Sequence, residues 1–312
     1  MNLITGGLGF LGSNLAEALV HQGQQVLLVS KSNRKLKNVD GFKDKVGIAY
    51  GDMSDVEWVQ QLIRECQPNV VFHFAGQVTS YESFENPFYD VDINAKSTLA
   101  ILEAMRELKK PCRFILGSTL WVVGHPEKLP INEKTPCWPR NVYGIDRLAS
   151  EHYCRVYHDV YDLDTVIMRM SNTFGIREQY DNVKKAALNY LLYKGYKGEP
   201  ITLYSKGQVS RDYIYISDVV SAAEAIMSKG KAGECYFIAS GVETWFADAG
   251  KWMAELTGAE LVYVDPPDFH KRIDIGNIRI DNRKLKSLGW DSRVSVKDGL
   301  SKTLEYYKQL GV

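Results

Sequence analysis

The sequence predicts an α/β fold, a parallel sheet wound on both faces by helices, with a smaller α/β lobe attached. Three observations predict it. Short apolar runs alternate with helix-length amphipathic segments through the first half; a glycine-rich turn joins the first run to the first helix; and the alternation loosens near residue 172 before it resumes. A sheet covered on both faces needs apolar side chains on both, so its strands read as near-continuous apolar runs.

The elements follow in order. "NLIT" reads as the first strand and residues 12 to 22 as the first helix; "QVLLVS" and "VGIAYG" are the next strands, with a helix over 55 to 66. "NVVFHFAG", a helix over 88 to 108, "CRFILGS", a helix over 142 to 160 and the buried strand "TVIMRMS" continue the series. Residues 172 to 211 mix loop, helix and short strand, after which "YISDVVSAAEAIMSK" and "ECYFIAS" return to the helix-then-strand pattern. Beyond residue 241 come small helices at "WFADAGKWMAELTG" and "VKDGLSKTLEYYKQL", with Pro266 and Pro267 in the loop between them. The expected organisation is a first domain of residues 1–171 plus about 212–240, and a second lobe of about 172–211 plus 241–312, discontinuous in sequence.

Composition narrows the partners. Thirty-eight basic residues balance thirty-eight acidic ones with no Lys/Arg-rich run, which argues against nucleic acid or an anionic membrane and for a small molecule. The five cysteines are odd in number, widely spaced and without a C-x-x-C, so neither a disulfide framework nor a zinc site is expected. The six histidines show no ligand spacing, so no metal site is expected and His73 reads as a packed, hydrogen-bonded side chain. No apolar run reaches membrane-spanning length and "MNLITGG" enters directly into a strand, which predicts a cytoplasmic protein without a signal peptide.

The most specific local signal is "TGGLGFLGSNL", which places Gly6, Gly9 and Gly12 between a strand and a helix. Gly6 permits the tight turn, Gly9 lets the backbone approach a pyrophosphate, and Gly12 lets the helix pack close; with Phe10 and Leu11 they make a Rossmann-type dinucleotide turn whose helix amides face the diphosphate. Such sites often hold a carboxylate at the end of the second strand, on the adenosine ribose. Here the run is "VLLVSKSNRK", with Ser30 in that place and Lys31, Ser32 and Arg34 after it. A carboxylate repels a 2′-phosphate whereas hydroxyls and cations accept one, so NADP(H) is expected over NAD(H), which stays possible.

Seven further stretches occur in register: "GDMSD", "HFAG", "GSTLWVVG", Tyr143 in "NVYGIDRLASE", "MSNTFG", "GQVSRDYIYISDV" and "IDNRKLKSLGW". Together they resemble the extended short-chain dehydrogenase/reductase family that acts on nucleotide sugars, over essentially the whole chain. The resemblance implies that Asp52 and Met53 lie beside the adenine, that Ala75 and Gly76 line the cofactor path, and that Thr119 and Tyr143 hold the places of the catalytic Ser/Thr and tyrosine. It implies that Asn172 and Arg211 contact the diphosphate of a nucleotide sugar, with Lys271 or Arg272 as a second cation. It also implies a homodimer packed through the helices near 88 to 108 and 142 to 160.

The family places a lysine four residues after the tyrosine, where it stabilises phenolate and bonds the nicotinamide ribose; here that residue is Arg147. Residues i and i+4 share a helix face, so the charge stays beside Tyr143, but a guanidinium cannot deprotonate and needs more room. After Thr119 the family's dehydratases carry an Asp-Glu pair and its decarboxylases a Glu, whereas this chain has Leu120 and Trp121. Neither can serve as acid or base for water loss, and Val123 replaces a common tyrosine. What remains is carbonyl/alcohol interconversion: NADP(H)-dependent reduction of a 4-keto sugar nucleotide with Tyr143 as acid, or 4-epimerisation through a transient ketone. A third reading, from another class, is a cofactor-binding regulatory protein with weakened turnover.

Overall fold

The computed structural model describes residues 1–182 and 187–312; positions 183–186, within the expected mixed stretch after 172, lie outside the described residues. Seven parallel strands form the main sheet: β1 (Asn2–Thr5), β2 (Val26–Ser30), β3 (Gly47–Tyr50), β4 (Val70–His73), β5 (Arg113–Thr119), β6 (Asp164–Met170) and, from much later in the chain, Cys235–Ile238. Before that last strand come β7 (Asn172–Phe174), β8 (Ile201–Tyr204) and β9 (Ser210–Tyr215), so it is β10, followed by β11 (Glu243–Trp245) and β12 (Leu261–Val264). The main sheet runs β3-β2-β1-β4-β5-β6-β10. The chain order therefore reverses between β1 and β4, and a crevice opens there at the carboxyl ends of the strands.

Strand periodicity explains how the two layers of helices are held. Leu3 and Ile4 are adjacent in β1 and point to opposite faces. Ile4, Leu28, Phe72, Ile115 and Val166 pack on one side with Leu15 and Leu19 of the Phe10–His21 helix and with Ala222 and Ile226 of the Ile216–Lys229 helix. Leu3, Val29, Val71, Phe114 and Ile167 pack on the other, against Val59 and Ile63 of the Val56–Cys66 helix, Ile101 and Leu102 of the Ser97–Arg106 helix and Cys154 of the Val142–Tyr161 helix. Burying one Leu or Ile side chain contributes roughly 1.5–3 kcal/mol, so these two layers dominate the stability of the sheet.

The remaining strands form two small sheets, β7-β9-β11 and β8-β12. Strand β9, which begins at the expected boundary of the first domain, pairs with β7 and β11 and takes no place in the main sheet, whereas β10 joins the main sheet beside β6.

One expected helix runs without a break but is not regular throughout. Residues 88 to 108 read as one segment, but the structure has Pro87–Asp90, a wider π-type turn over Val91–Lys96, and then Ser97–Arg106. Hydroxyls satisfy the carbonyls at this widening: Ser97 donates to the Ile93 oxygen at 2.7 Å, and Thr98 and Ser150 donate to the Asn94 oxygen at 3.0 and 2.9 Å. Such insertions frequently sit at functional sites.

Candidate active site

The crevice at the strand ends is a cleft of about 490 Å³. It gathers Gly6, Gly9, Phe10, Leu11 and Gly12 after β1, Ser30, Lys31, Ser32 and Arg34 after β2, Asp52 and Met53 after β3, and Ala75 and Gly76 after β4, with Thr119 from β5 and Tyr143 from the following helix. Gly6 has φ +67°, a backbone conformation that costs a side chain roughly 1 kcal/mol or more, and a Cβ on Gly12 would sit 2.5 Å from the Gly6 oxygen. The Phe10–His21 helix starts on that turn with Gly9 at its cap, no side chain bonded to its first amides and no acid in its first turn. This is a cradle that fits a diphosphate.

The wall after β2 and β3 is built from charge. Lys31 Nζ lies 2.6 Å from Asp52 and 5.0 Å from the centre of the Tyr89 ring. The hydrogen bond to Asp52 raises the lysine above its ordinary value; burial works against ionisation of Asp52, but the bonds from Lys31 and Ser54 outweigh it and hold that carboxyl low. Ser30 Oγ donates to the Ser32 carbonyl at 2.9 Å, tightening the loop after β2. Arg34 and Lys35 line the same wall, and among the described residues Arg34 has no ion-pair partner. The residues therefore fit a nicotinamide dinucleotide at both its diphosphate and its ribose end.

The end of the cleft at Thr119 and Tyr143 is held by buried hydrogen bonds. Asn141 caps the Val142–Tyr161 helix, accepting from Gly144 N at 2.7 Å while its own amide donates to Ser80 Oγ at 2.9 Å, and this fixes Tyr143 in the first turn. Thr119 Oγ1 accepts from Trp121 N at 3.3 Å, which leaves its hydroxyl hydrogen to donate into the cleft. Beneath it, Ser118 donates to Glu151 at 2.6 Å, and Arg169 grips the same carboxylate through Nε at 2.9 Å and Nη2 at 2.6 Å, both residues essentially inaccessible. His73 lies between Thr5 Oγ1 at 2.8 Å and Ser97 Oγ at 3.1 Å; burial, together with the nearby Arg147 charge, pushes its pKa down to about 3 and keeps the ring neutral.

Arg147 is not among the residues that line the cleft. Only 2% exposed, it stands one layer behind, donating to the Gly117 oxygen at 3.1 Å and the Ala75 oxygen at 3.2 Å, with its guanidinium carbon 5.7 Å from the Tyr143 ring centre. Gly76 lines the cleft directly in front of it, and a Cβ there would overlap the guanidinium and Asn94 Oδ1. The positive charge thus reaches Tyr143 from behind, with Nη1 and Nη2 each engaged by a main-chain carbonyl instead of facing a ribose and Nε buried without an acceptor.

The expected substrate residues are not brought into the cleft either. Asn172 Nδ2 donates to the Asp212 carbonyl at 3.3 Å; Arg211 bonds the Ser210 and Gly276 carbonyls and pairs with Asp274 at 3.0 Å. Lys271 pairs with its helix neighbour Asp268 at 3.1 Å, and Arg272 is exposed while its carbonyl accepts from Arg140. Tyr89, Glu178 and Gln179 line the cleft without any sequence signal, and Lys35 and Ser118, inside stretches read for the site, were not singled out. Behind Arg147, Asp90, Asn94 and Asp146 form a buried polar cluster that helical periodicity gave no reason to single out.

A seven-stranded doubly wound sheet, a glycine cradle at its switch point and a buried tyrosine backed by a cation together define a dinucleotide-dependent short-chain dehydrogenase/reductase of the extended type. The chain belongs to the family described as GDP-mannose 4,6-dehydratase, whose model matches residues 3–303. It is 29% identical to a dTDP-glucose 4,6-dehydratase of Xanthomonas campestris over 98% of this chain and 92% of that one. Its fold superposes on a UDP-glucose 4-epimerase from Thermotoga maritima, solved with UDP-glucose, at a TM-score of 0.92 and 28% identity over the full length of both. The Thermus thermophilus UDP-glucose 4-epimerase complexed with NAD gives 0.88 and 28%, with 98% of each chain covered.

Proposed function

We propose that this chain is an NADP(H)-dependent oxidoreductase of nucleotide-activated sugars and that its reaction is reduction of a 4-keto sugar. The observation that carries the cofactor choice is the wall after β2, where Ser30, Ser32, Lys31, Arg34 and Lys35 face the cleft with no carboxylate at the strand end. The bound dinucleotide supplies the hydride. Thr119 donates its free hydroxyl hydrogen to the carbonyl oxygen, and Tyr143 passes its phenolic proton to that oxygen as the alcohol forms. Arg147, held behind the ring, stabilises the phenolate left on Tyr143 until solvent returns the proton. Dehydration, the activity in the family's description, lacks its acid and base here, because Leu120 and Trp121 follow Thr119.

The likeness to two UDP-glucose 4-epimerases supports a second reading, 4-epimerisation with the cofactor retained. Purified protein offered NADPH and a panel of keto and hydroxy nucleotide sugars separates the two. Stoichiometric loss of NADPH absorbance with a keto sugar is the expected result; C4 inversion without net cofactor change would replace reduction by epimerisation, and cofactor binding without either would favour the regulatory reading.

Asn172, Arg211 and a cation of the Asp268–Ile273 helix are proposed to meet the sugar nucleotide's diphosphate, Arg211 exchanging Asp274 for phosphate. A homodimer is proposed through Phe88, Val91, Ile145, Val156 and Val160, apolar side chains that stand exposed on adjacent helices. None of the described helices is long and apolar enough to cross a membrane.

A further inference from the structure

Two carboxyl groups meet behind the active site with no solvent to share their charge. Asp90 ends the short Pro87–Asp90 helix and is wholly inaccessible; Asp146 precedes Arg147 on the Val142–Tyr161 helix and is 5% exposed. Each side chain is the other's hydrogen-bonding neighbour, and Asn94 Nδ2 donates to Asp90 Oδ2 at 2.9 Å. Asp90 Oδ1 and Asp146 Oδ2 are otherwise buried without a donor, and Arg147 Nε is buried without an acceptor.

We propose that Asp90 and Asp146 are positioning residues: a carboxyl pair that keeps one proton between them and so acts as the single-charge counter-ion that seats Arg147 behind Tyr143. The proposal rests on the reading of Tyr143 as the reacting acid.

Charge and hydrogen bonding lead to the same state. Two ionised carboxylates in contact leave their facing oxygens without a proton to share, whereas one proton satisfies both. A guanidinium is permanently charged, so one proton on the pair makes the trio neutral, and a buried charge is tolerated only when balanced. Burial lifts both carboxyls, Asp146 to about 7, with Asp90 adding to the rise and the Arg147 charge opposing it. Glu82 adds a negative field at Asp90, and His73, which feels the Arg147 charge, is neutral. The pair therefore titrates as a unit.

An infrared spectrum of the full-length protein at pH 6, without sugar or cofactor, tests the shared proton directly. The spectrum of the wild type minus that of Asp90→Asn, and minus that of Asp146→Asn, is expected to show the C=O stretch of a protonated carboxyl, shifting in D2O, because each single variant keeps one charge without a shared proton; taking differences cancels the band of Asp212, which burial raises to about 6. Absence of the band from both difference spectra overturns the proposal. A second arm reads charge balance by denaturant melts and NADPH fluorescence titration. Each single variant is expected to weaken NADPH binding by about threefold at most, and the double variant, which removes the counter-ion, by about tenfold or more, beyond the product of the two. Adding Arg147→Gln to the double variant is expected to restore its melting midpoint. If the singles multiply to the double and the added substitution only destabilises further, the pair is ordinary packing. No measurement in either arm uses a sugar, so failure of the proposed reaction shows separately, as absent turnover in the wild-type protein.

Discussion

Replacing Arg34 by alanine tests the cofactor choice at the residue best placed to decide it. Lys31 is already engaged by Asp52 at 2.6 Å and lies over the Tyr89 ring, so much of its charge is neutralised before any ligand arrives. Arg34 lines the same wall, is exposed, and among the described residues has no ion-pair partner. A hydrogen bond to a charged group contributes roughly 1.5–3 kcal/mol, and solvent screening at this exposed site reduces that to about 1–2 kcal/mol. At about 1.4 kcal/mol per tenfold, Arg34→Ala should weaken NADPH by roughly 5- to 30-fold and leave NADH nearly unchanged. The assay is a fluorescence titration of both cofactors at low and high salt, with the NADPH preference of the wild type shrinking as the Debye length falls below about 10 Å. Equal losses for the two cofactors, or no change in either, would refute the phosphate-pocket reasoning. Ser30→Asp provides the converse, since a carboxylate at that strand end should accept the ribose of NADH and repel NADPH.

Other expectations are equally direct. Tyr143→Phe should abolish turnover by about 100-fold or more while cofactor affinity, measured by the same titration, stays within a few-fold. Arg169→Met leaves the Glu151 carboxylate buried and unpaired and should cost about 3–5 kcal/mol in a denaturant melt. His73 is neutral when folded and can take a proton only when unfolded, so its contribution to stability is present above about pH 6.5 and is lost as pH falls toward 3. Between pH 7.5 and 5.5 the wild type should lose about 1.4 kcal/mol that a His73→Gln variant does not, seen by urea denaturation at the two pH values. Val160→Glu, at a side chain 63% exposed on the proposed dimer face, should shift sedimentation toward the monomer without lowering the melting midpoint of the protomer.

Much of the fold and the glycine-rich side of the cleft was legible in the sequence because those features are local. A strand, a tight turn and a helix start are specified within a dozen residues, so Gly6 to Gly12 could be placed without knowing what packs on them. Ser30 could be placed for a related reason, at the carboxyl end of a strand; Asp52, Ala75 and Thr119 were placed only by the family resemblance, and they gather at one edge because parallel strands bring their carboxyl ends there. The helix over 88 to 108 was read as regular because its apolar spacing is helical throughout, and the widened turn at Val91–Lys96 depends on hydroxyls whose partners include Ser150, on another helix.

The sequence by itself determined the alternation that makes the sheet and the glycine turn after its first strand, and its resemblance to the family pointed to Thr119 and Tyr143, which the structure sets beside one cleft. Only the tertiary structure decided what stands behind that cleft and which charges are already taken. Arg147 turned out to donate to two main-chain carbonyls and to place its charge near the buried Asp90, from a helix far away in sequence, and Arg211 turned out to hold Asp274. The physical reason is that periodicity reports which face of an element is apolar, whereas the partner of a buried charge is set by which elements the packing brings together.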